Sequence, residues 1–273
     1  MTEGRFEFGK NWTSFLAHVD ARRVEVAERS MASLLGSDRL AGRRFLDVGC
    51  GSGLFSLAAR RLGASVVSFD FDEGSVACAG ELRRRFFPDD DAWTVLSGSA
   101  LDREFLASLG RFDVVYAWGV LHHTGRLWEA VDSVAAAVDA EGTLVLAIYN
   151  DQGFRSRSWR SIKRLYNRLP RPLRVPYAAA VMLPREALSL AASTARLAPG
   201  DYVRSWTEYR KNRGMSRWHD LIDWVGGYPF EVAKPEQVFD RLSERGFELR
   251  RLKTCGGGLG CNEFVFRRRT AEV

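Results

Sequence analysis

Between residues 44 and 149 short apolar runs alternate with amphipathic stretches. The runs FLDVG (45–49), SVVSFD (65–70), WTVLSG (93–98), FDVVYAW (112–118) and TLVLAIY (143–149) are rich in β-branched and aromatic side chains. They are apolar at nearly every position, which predicts strands covered on both faces, as in a parallel sheet. Residues 54–62, 75–86, 103–109 and 127–138 read as helices between them. Strand and helix in alternation predict a doubly wound α/β sheet.

The pattern changes after residue 230. Residues 235–245 read as a helix with Pro235 in its first turn, residues 247–254 as a strand and NEFVFRRR (262–269) as another. The intervening CGGGLGC is too short to hold a helix, so these two strands are expected to pair antiparallel. Ahead of the sheet, residues 12–35 predict one or two helices, making 1–40 an N-terminal helical cap over the cleft. Residues 41–149 are then the α/β core and 231–273 the helix and hairpin that complete it. Residues 150–230 form an insertion, partly helical and punctuated by Pro170, Pro172, Pro176, Pro184 and Pro199.

Composition narrows the class. With 46% hydrophobic and 27% charged residues the chain can bury a sizeable core. No apolar stretch approaches the ~18 residues of a membrane span, and the start MTEGRFEFGKNW does not read as a secretory signal. Cys50, Cys78, Cys255 and Cys261 show no CxxC spacing, so neither a disulfide framework nor a zinc site is expected, and a cytoplasmic location is. The net charge of +6 is uneven: residues 151–213 hold 14 Lys/Arg against 4 Asp/Glu. Such a block is either a solvated face or a surface for an acidic partner.

LDVGCGSG places Gly49, Cys50, Gly51 and Gly53 where a strand turns into a helix, so backbone N–H groups can approach a ligand. A dinucleotide fingerprint would want glycine or alanine at position 54, which is Leu54. Asp47 would repel a pyrophosphate and would stabilise an ammonium group. Asp70, at the next strand end, suits a pair of ribose hydroxyls. Phe71 follows it, and Ser99, Ala100 and Leu101 after the third strand would border an adenine, with Asp102 as an acceptor for its exocyclic amine.

These segments, together with GSALD and FDVVYAWGVLHH followed by EGTLVLAIY, resemble the motifs of class I S-adenosylmethionine-dependent methyltransferases, in order and separation, over residues 40–150. The resemblance implies a seven-stranded sheet of order 3-2-1-4-5-7-6 with the last strand antiparallel. It implies S-adenosylmethionine as cofactor, leaving as S-adenosylhomocysteine, held by Asp47, Gly49, Gly51, Asp70 and residues 99–101. Within that superfamily the chain looks most similar to ubiquinone-type small-molecule O-methyltransferases. GVLHH is also similar to enzymes acting on the wobble uridine of tRNA.

Transfer from a sulfonium to a hydroxyl requires in-line alignment and removal of a proton. Histidine suits that task near neutral pH. His122 and His123 follow the fourth strand, and His219 lies in MSRWHDLIDW beside Asp220, which can orient an imidazole; all three are candidate bases. His219, Asp220 and Asp223 do not have a metal-ligand spacing, and no metal is expected. Trp118 is expected to wall the cofactor, and Trp12, Trp218, Asp220 and Asn262 to meet the substrate.

The insertion reads most plainly as a substrate lid. Its VPYAAAVMLP stretch, flanked by arginines, also suits a membrane surface or a lipid-linked acceptor, and its basic, aromatic half suits nucleic acid. The expected function is O-methylation of a small molecule: a sugar, a phenol or a lipid-linked intermediate. The competing readings are an RNA-modifying methyltransferase and a non-catalytic S-adenosylmethionine-binding partner subunit.

Overall fold

The computed structural model describes residues 19–196, 198–207 and 217–270, and within these the side chains of all but residues 199, 217, 219, 220 and 223. Helix α1 (Ala21–Leu35) precedes β1 (Arg44–Val48), α2 (Leu54–Arg61), β2 (Ser65–Asp70), α3 (Glu73–Phe86), β3 (Trp93–Ser97) and α4 (Arg103–Ser108). Then come β4 (Phe112–Trp118), a 3-10 turn (Leu121–His123), α5 (Leu127–Ala136) and β5 (Val138–Tyr149). The insertion contributes α6 (Phe154–Arg168), α7 (Arg171–Ala195), α8 (Pro199–Thr207) and α9 (Arg217–Gly226). Helix α10 (Pro235–Ser243), β6 (Phe247–Lys253) and β7 (Cys261–Arg268) close the chain.

The seven strands form one sheet of order β3-β2-β1-β4-β5-β7-β6, as expected. β1 to β5 run parallel, and β7 runs antiparallel to both β5 and β6. Alternation along each strand divides two cores. Phe45, Val114, Tyr116, Val145 and Val265 face α1, α2 and α3. Leu46, Val48, Val115, Ala117, Leu144 and Phe264 face α5 and α10. Asp47 falls on the Phe45 side, so a carboxylate points into the helical layer.

Local chemistry sets the boundaries. Asp20, Asp72 and Asp102 cap α1, α3 and α4 by accepting from Arg23, Ser75 and Phe105 N–H. β5 starts five residues before TLVLAIY: Val138 pairs with Phe112, and a register shift and Glu141 at φ 56° bend the strand. That pairing runs through backbone groups, which the polar DAEG pattern does not reveal.

Pro176 and Pro184, which punctuate the insertion in sequence, both lie inside the 25-residue α7. They sit on its exposed face, where the carbonyls that lose a donor can meet water. The insertion has a core of its own, formed by Tyr166, Ala178, Met182, Leu221 and Val225. It returns to the sheet where it left. Asp151 N–H donates to Ala233 O at 3.2 Å, and Ala233 N–H to Tyr149 O at 2.9 Å.

Candidate active site

Between β1 and β4 the connections diverge to opposite faces, which leaves a crevice at the carboxyl edge of the sheet. Gly49, Cys50 and Gly51 line its β1 side. Gly49 and Cys50 N–H both donate to Phe69 O, at 2.8 and 3.0 Å, and Gly51 N–H donates to Asp70 Oδ2 at 2.9 Å. Gly49, Gly51 and Gly53 have φ of 68°, 53° and 78°, a region that favours glycine. At Gly49 an added Cβ would lie 2.2 Å from Val120 Cγ2, so the loops after β1 and β4 abut directly. Gly53 starts α2 without a side-chain cap, leaving backbone donors at the helix N-terminus.

The two carboxylates sit behind this loop. Asp47 is buried and accepts from Ser56 Oγ at 2.5 Å. Ser56 Oγ in turn accepts from Ser68 Oγ (2.8 Å), which accepts from Trp93 Nε1 (2.7 Å). Burial pushes the Asp47 carboxyl up to about 7, opposed by the Ser56 hydrogen bonds and reinforced by the charge of Asp70. Asp70 Oδ1 also accepts from Asp72 N–H at 2.9 Å, so its carboxylate is oriented by the backbone on both sides. Among the described residues, none of the groups acting on Asp47 is a cation. Two carboxylates at the glycine loop fit a cationic, hydroxyl-bearing ligand and oppose a pyrophosphate.

Phe71 is exposed at the crevice rim. Ser99 Oγ accepts from Leu101 N–H at 3.2 Å, Ala100 is buried, and Leu101 packs on the core. Asp102, expected to meet the adenine amine, caps α4 through its Oδ1. Trp118 stacks on Tyr116 at 5.7 Å and 6°.

Beyond β4 the structure gathers a polar and aromatic cluster. His122 and His123 are buried with ring centroids 4.5 Å apart. His123 Nδ1 lies 2.6 Å from Pro229 O. His122 Nδ1 accepts from Tyr149 N–H at 3.3 Å, and its ring lies 3.8 Å from that of Tyr149. Burial, His123 and Lys163 hold His122 well below the ordinary histidine range. Tyr149 also meets Trp224 at 5.7 Å and Phe230 at 5.3 Å. Lys163, fully buried, donates to Trp224 O, with the Trp224 ring 4.5 Å and the Phe230 ring 5.0 Å from its Nζ. Glu231 Oε1 accepts from Leu127 N–H at 3.2 Å, and burial raises its carboxyl.

Two expected substrate residues are engaged elsewhere. Asn262 is buried: its Oδ1 accepts from Cys255 N–H and its Nδ2 donates to Asn150 Oδ1, both at 3.1 Å, so its amide ties the last hairpin to the end of β5. Trp218 packs against the insertion's own core. Trp12 and the side chains of His219 and Asp220 lie outside the described residues. Tyr149, Lys163 and Phe230 were missed by sequence reasoning. Tyr149 closes a strand at the carboxyl edge, a signal that was legible; Lys163 is lost among the twelve arginines of residues 151–213.

The methyltransferase domain family matches residues 19–180, more than half of the chain. The chain belongs to that family. With its 3-2-1-4-5-7-6 sheet it is a class I S-adenosylmethionine-dependent methyltransferase. It is 29% identical over 149 residues to a ubiquinone biosynthesis O-methyltransferase of Rhodopseudomonas palustris, covering 54% of this chain and 51% of that protein. The chain thus spans about half the length of the curated relatives it matches. It is 37% identical over 108 residues to a tRNA U34 carboxymethyltransferase of Alcanivorax borkumensis, covering 39% of this chain and 32% of that enzyme. Its fold is similar to the S-adenosylhomocysteine-bound magnesium protoporphyrin IX methyltransferase of Synechocystis (TM-score 0.52, 18% identity, 90% of this chain and 83% of that one). S-adenosylmethionine, which the family implies, carries an ammonium group and a ribose diol, and the carboxylates of Asp47 and Asp70 beside the glycine loop fit both.

Proposed function

We propose that this methyltransferase acts on a hydroxyl group of a small molecule, with His123 as the base. Asp47, Gly49, Gly51, Gly53 and Asp70 hold S-adenosylmethionine, with Cys50, Phe71, Trp118 and residues 99–101 around it. When bound, that cofactor supplies an electrophilic methyl carbon on a sulfonium. The chain aligns the acceptor, removes its proton and excludes water.

One observation carries the assignment of the base: His123 Nδ1 lies 2.6 Å from Pro229 O. A carbonyl only accepts, so Nδ1 bears the proton of the neutral ring and the basic lone pair belongs to Nε2. His122 is suited differently. It resists protonation and accepts from Tyr149 N–H on Nδ1, which makes it a positioning residue for His123 and Tyr149. The aromatic side chains of Tyr149, Trp224 and Phe230 suit a phenolic or otherwise apolar acceptor, and the relationship to ubiquinone biosynthesis O-methyltransferases supports that class. The insertion is the lid over it. His219 is the competing base.

The test is methyl transfer to a panel of phenols and sugars by the native chain and by the His123→Ala and His219→Ala variants. Loss of His123 is expected to lower kcat about 10²- to 10⁴-fold, with cofactor affinity unchanged. An unaffected rate in His123→Ala with a lost one in His219→Ala transfers the role. Equal activity in both variants removes the histidine base altogether. A second reading is favoured by the exposed arginines 157, 164 and 168 on α6 and by the similarity to a tRNA-modifying enzyme. It predicts binding to tRNA that falls steeply with salt.

A further inference from the structure

Helix α7 has two apolar sides. Ala178 and Met182 turn into the insertion's core, with Glu186 buried beside them and accepting from Tyr202 Oη at 3.1 Å. A helix that buries one stripe normally shows charged and polar residues on the other. Here the solvent stripe runs Leu173, Pro176, Ala180, Leu183, Ala187 and Ala191, at spacings of three and four, and all six are exposed. Leu183 is 67% exposed and Leu188, next to the stripe, 72%. Eight of the fourteen large exposed hydrophobic side chains among the described residues lie between positions 154 and 203.

The charge around this stripe has one sign. Residues 154–207 contain eleven Lys/Arg and two acids. Glu186 is buried and Asp201 is paired with Arg204. Among the described residues of this stretch, no exposed carboxylate stands apart from an arginine. Exposed arginines lie at both ends of α7 and within it: Arg168 and Arg171 before its first turn and at its start, Arg185 in its middle, Arg196 just past its end. Apolar side chains that enter an acyl layer, with guanidinium groups at headgroup level, are what an anionic bilayer surface recognises. A nucleic acid would use the arginines but has no use for Leu173, Leu183 and Leu188, since bases stack on aromatic rings. At 25 residues α7 is about 37 Å long, and no described helix is long and apolar enough to cross a membrane.

We propose that the outer face of α7 docks this enzyme on an anionic phospholipid surface, the helix lying in the plane of the interface. The inference does not depend on the base or the acceptor. Docking places the insertion, which packs over the His123 and Tyr149 cluster, against the bilayer. An apolar acceptor dissolved there then reaches the site without crossing water.

The test is flotation of the full chain with vesicles of phosphatidylcholine alone and of phosphatidylcholine mixed with phosphatidylglycerol. It is repeated on Leu183→Glu/Leu188→Glu, whose positions face solvent, with folding checked by circular dichroism and S-adenosylmethionine titration. Native protein is expected to float with the anionic vesicles only, and the double variant to bind them at least ~10-fold more weakly, with cofactor affinity unchanged. No flotation, or equal flotation by the double variant, overturns the proposal. So does binding to single-stranded RNA in place of vesicles, or a native dimer in sedimentation that the double variant abolishes. The last result would make this face an interface between two copies of the chain. Failure of methyl transfer leaves the vesicle result standing, so the two proposals fail separately.

Discussion

Ser56 Oγ donates to Asp47 Oδ2 at 2.5 Å across the junction between the first strand and the helix that follows it. The contact begins a relay through Ser68 to Trp93 and holds a carboxyl in a buried position where its ordinary ionisation is suppressed. Asp47 is placed for a ligand at the expense of stability.

The first prediction is a stability slope. Folding raises the Asp47 carboxyl from 3.8 to about 7, so between these values the folded chain binds a proton that the unfolded chain has lost. Stability then falls as pH rises from about 4 to about 7, by on the order of 4 kcal/mol from this group. Asp47→Asn keeps an acceptor for Ser56 and should flatten this part of the profile, raising Tm at pH 8. Urea unfolding from pH 4 to 8 checks it; an unchanged slope would show that Asp47 ionises normally.

Cofactor binding should carry the opposite signature. An ammonium group beside Asp47 favours its ionised form, so binding below pH 7 releases a proton. Affinity for S-adenosylmethionine is expected to weaken by up to about tenfold per pH unit below 7. Calorimetry in buffers of different ionisation enthalpy reads the proton directly. A pH-independent affinity would place the ammonium group elsewhere.

Gly49→Ala tests the abutting loops. The new methyl meets Val120 Cγ2 at 2.2 Å on a backbone of φ 68°, so a loss of about 2–4 kcal/mol is expected, together with cofactor binding. Adding Val120→Ala should restore part of the stability, because the Cγ atoms go while the backbone strain stays. No recovery in the double variant would assign the whole effect to the backbone.

Lys163→Met tests how the insertion is held. The substitution keeps the stem among Trp159, Trp224 and Phe230 but leaves Trp224 O without its donor. Desolvating one charge fewer offsets part of the loss, so about 1–2 kcal/mol is expected. Limited proteolysis should then cut faster within residues 150–230, while the core stays protected. Unchanged cleavage would mean that aromatic packing alone secures the insertion.

Much of this enzyme was legible in its sequence. Five continuous apolar runs announced a sheet covered on both faces, because periodicity records burial directly. The loop LDVGCGSG showed where a ligand meets backbone, since few residues besides glycine adopt its angles. The acidic ends of β1 and β2 followed from strand boundaries. The start of β5 was not legible, because its first residues pair through backbone groups beneath a polar pattern. Nor was the continuity of α7, whose prolines are tolerated only because their side of the helix faces solvent.

The acceptor side depended on tertiary structure throughout. Asn262 resembled a ligand group in sequence and became a structural tie, because Asn150 and Cys255 arrive from elsewhere in the chain to satisfy it. The neighbours His122 and His123 are chemically alike in sequence and differ once folded, one meeting a carbonyl from residue 229 and the other an amide from residue 149. Local pattern determined the sheet, the glycine loop and its carboxylates, since those depend on neighbours a few residues away. Which nitrogen of which histidine holds a proton was decided by contacts spanning 27 and 106 residues, and only the folded chain makes them.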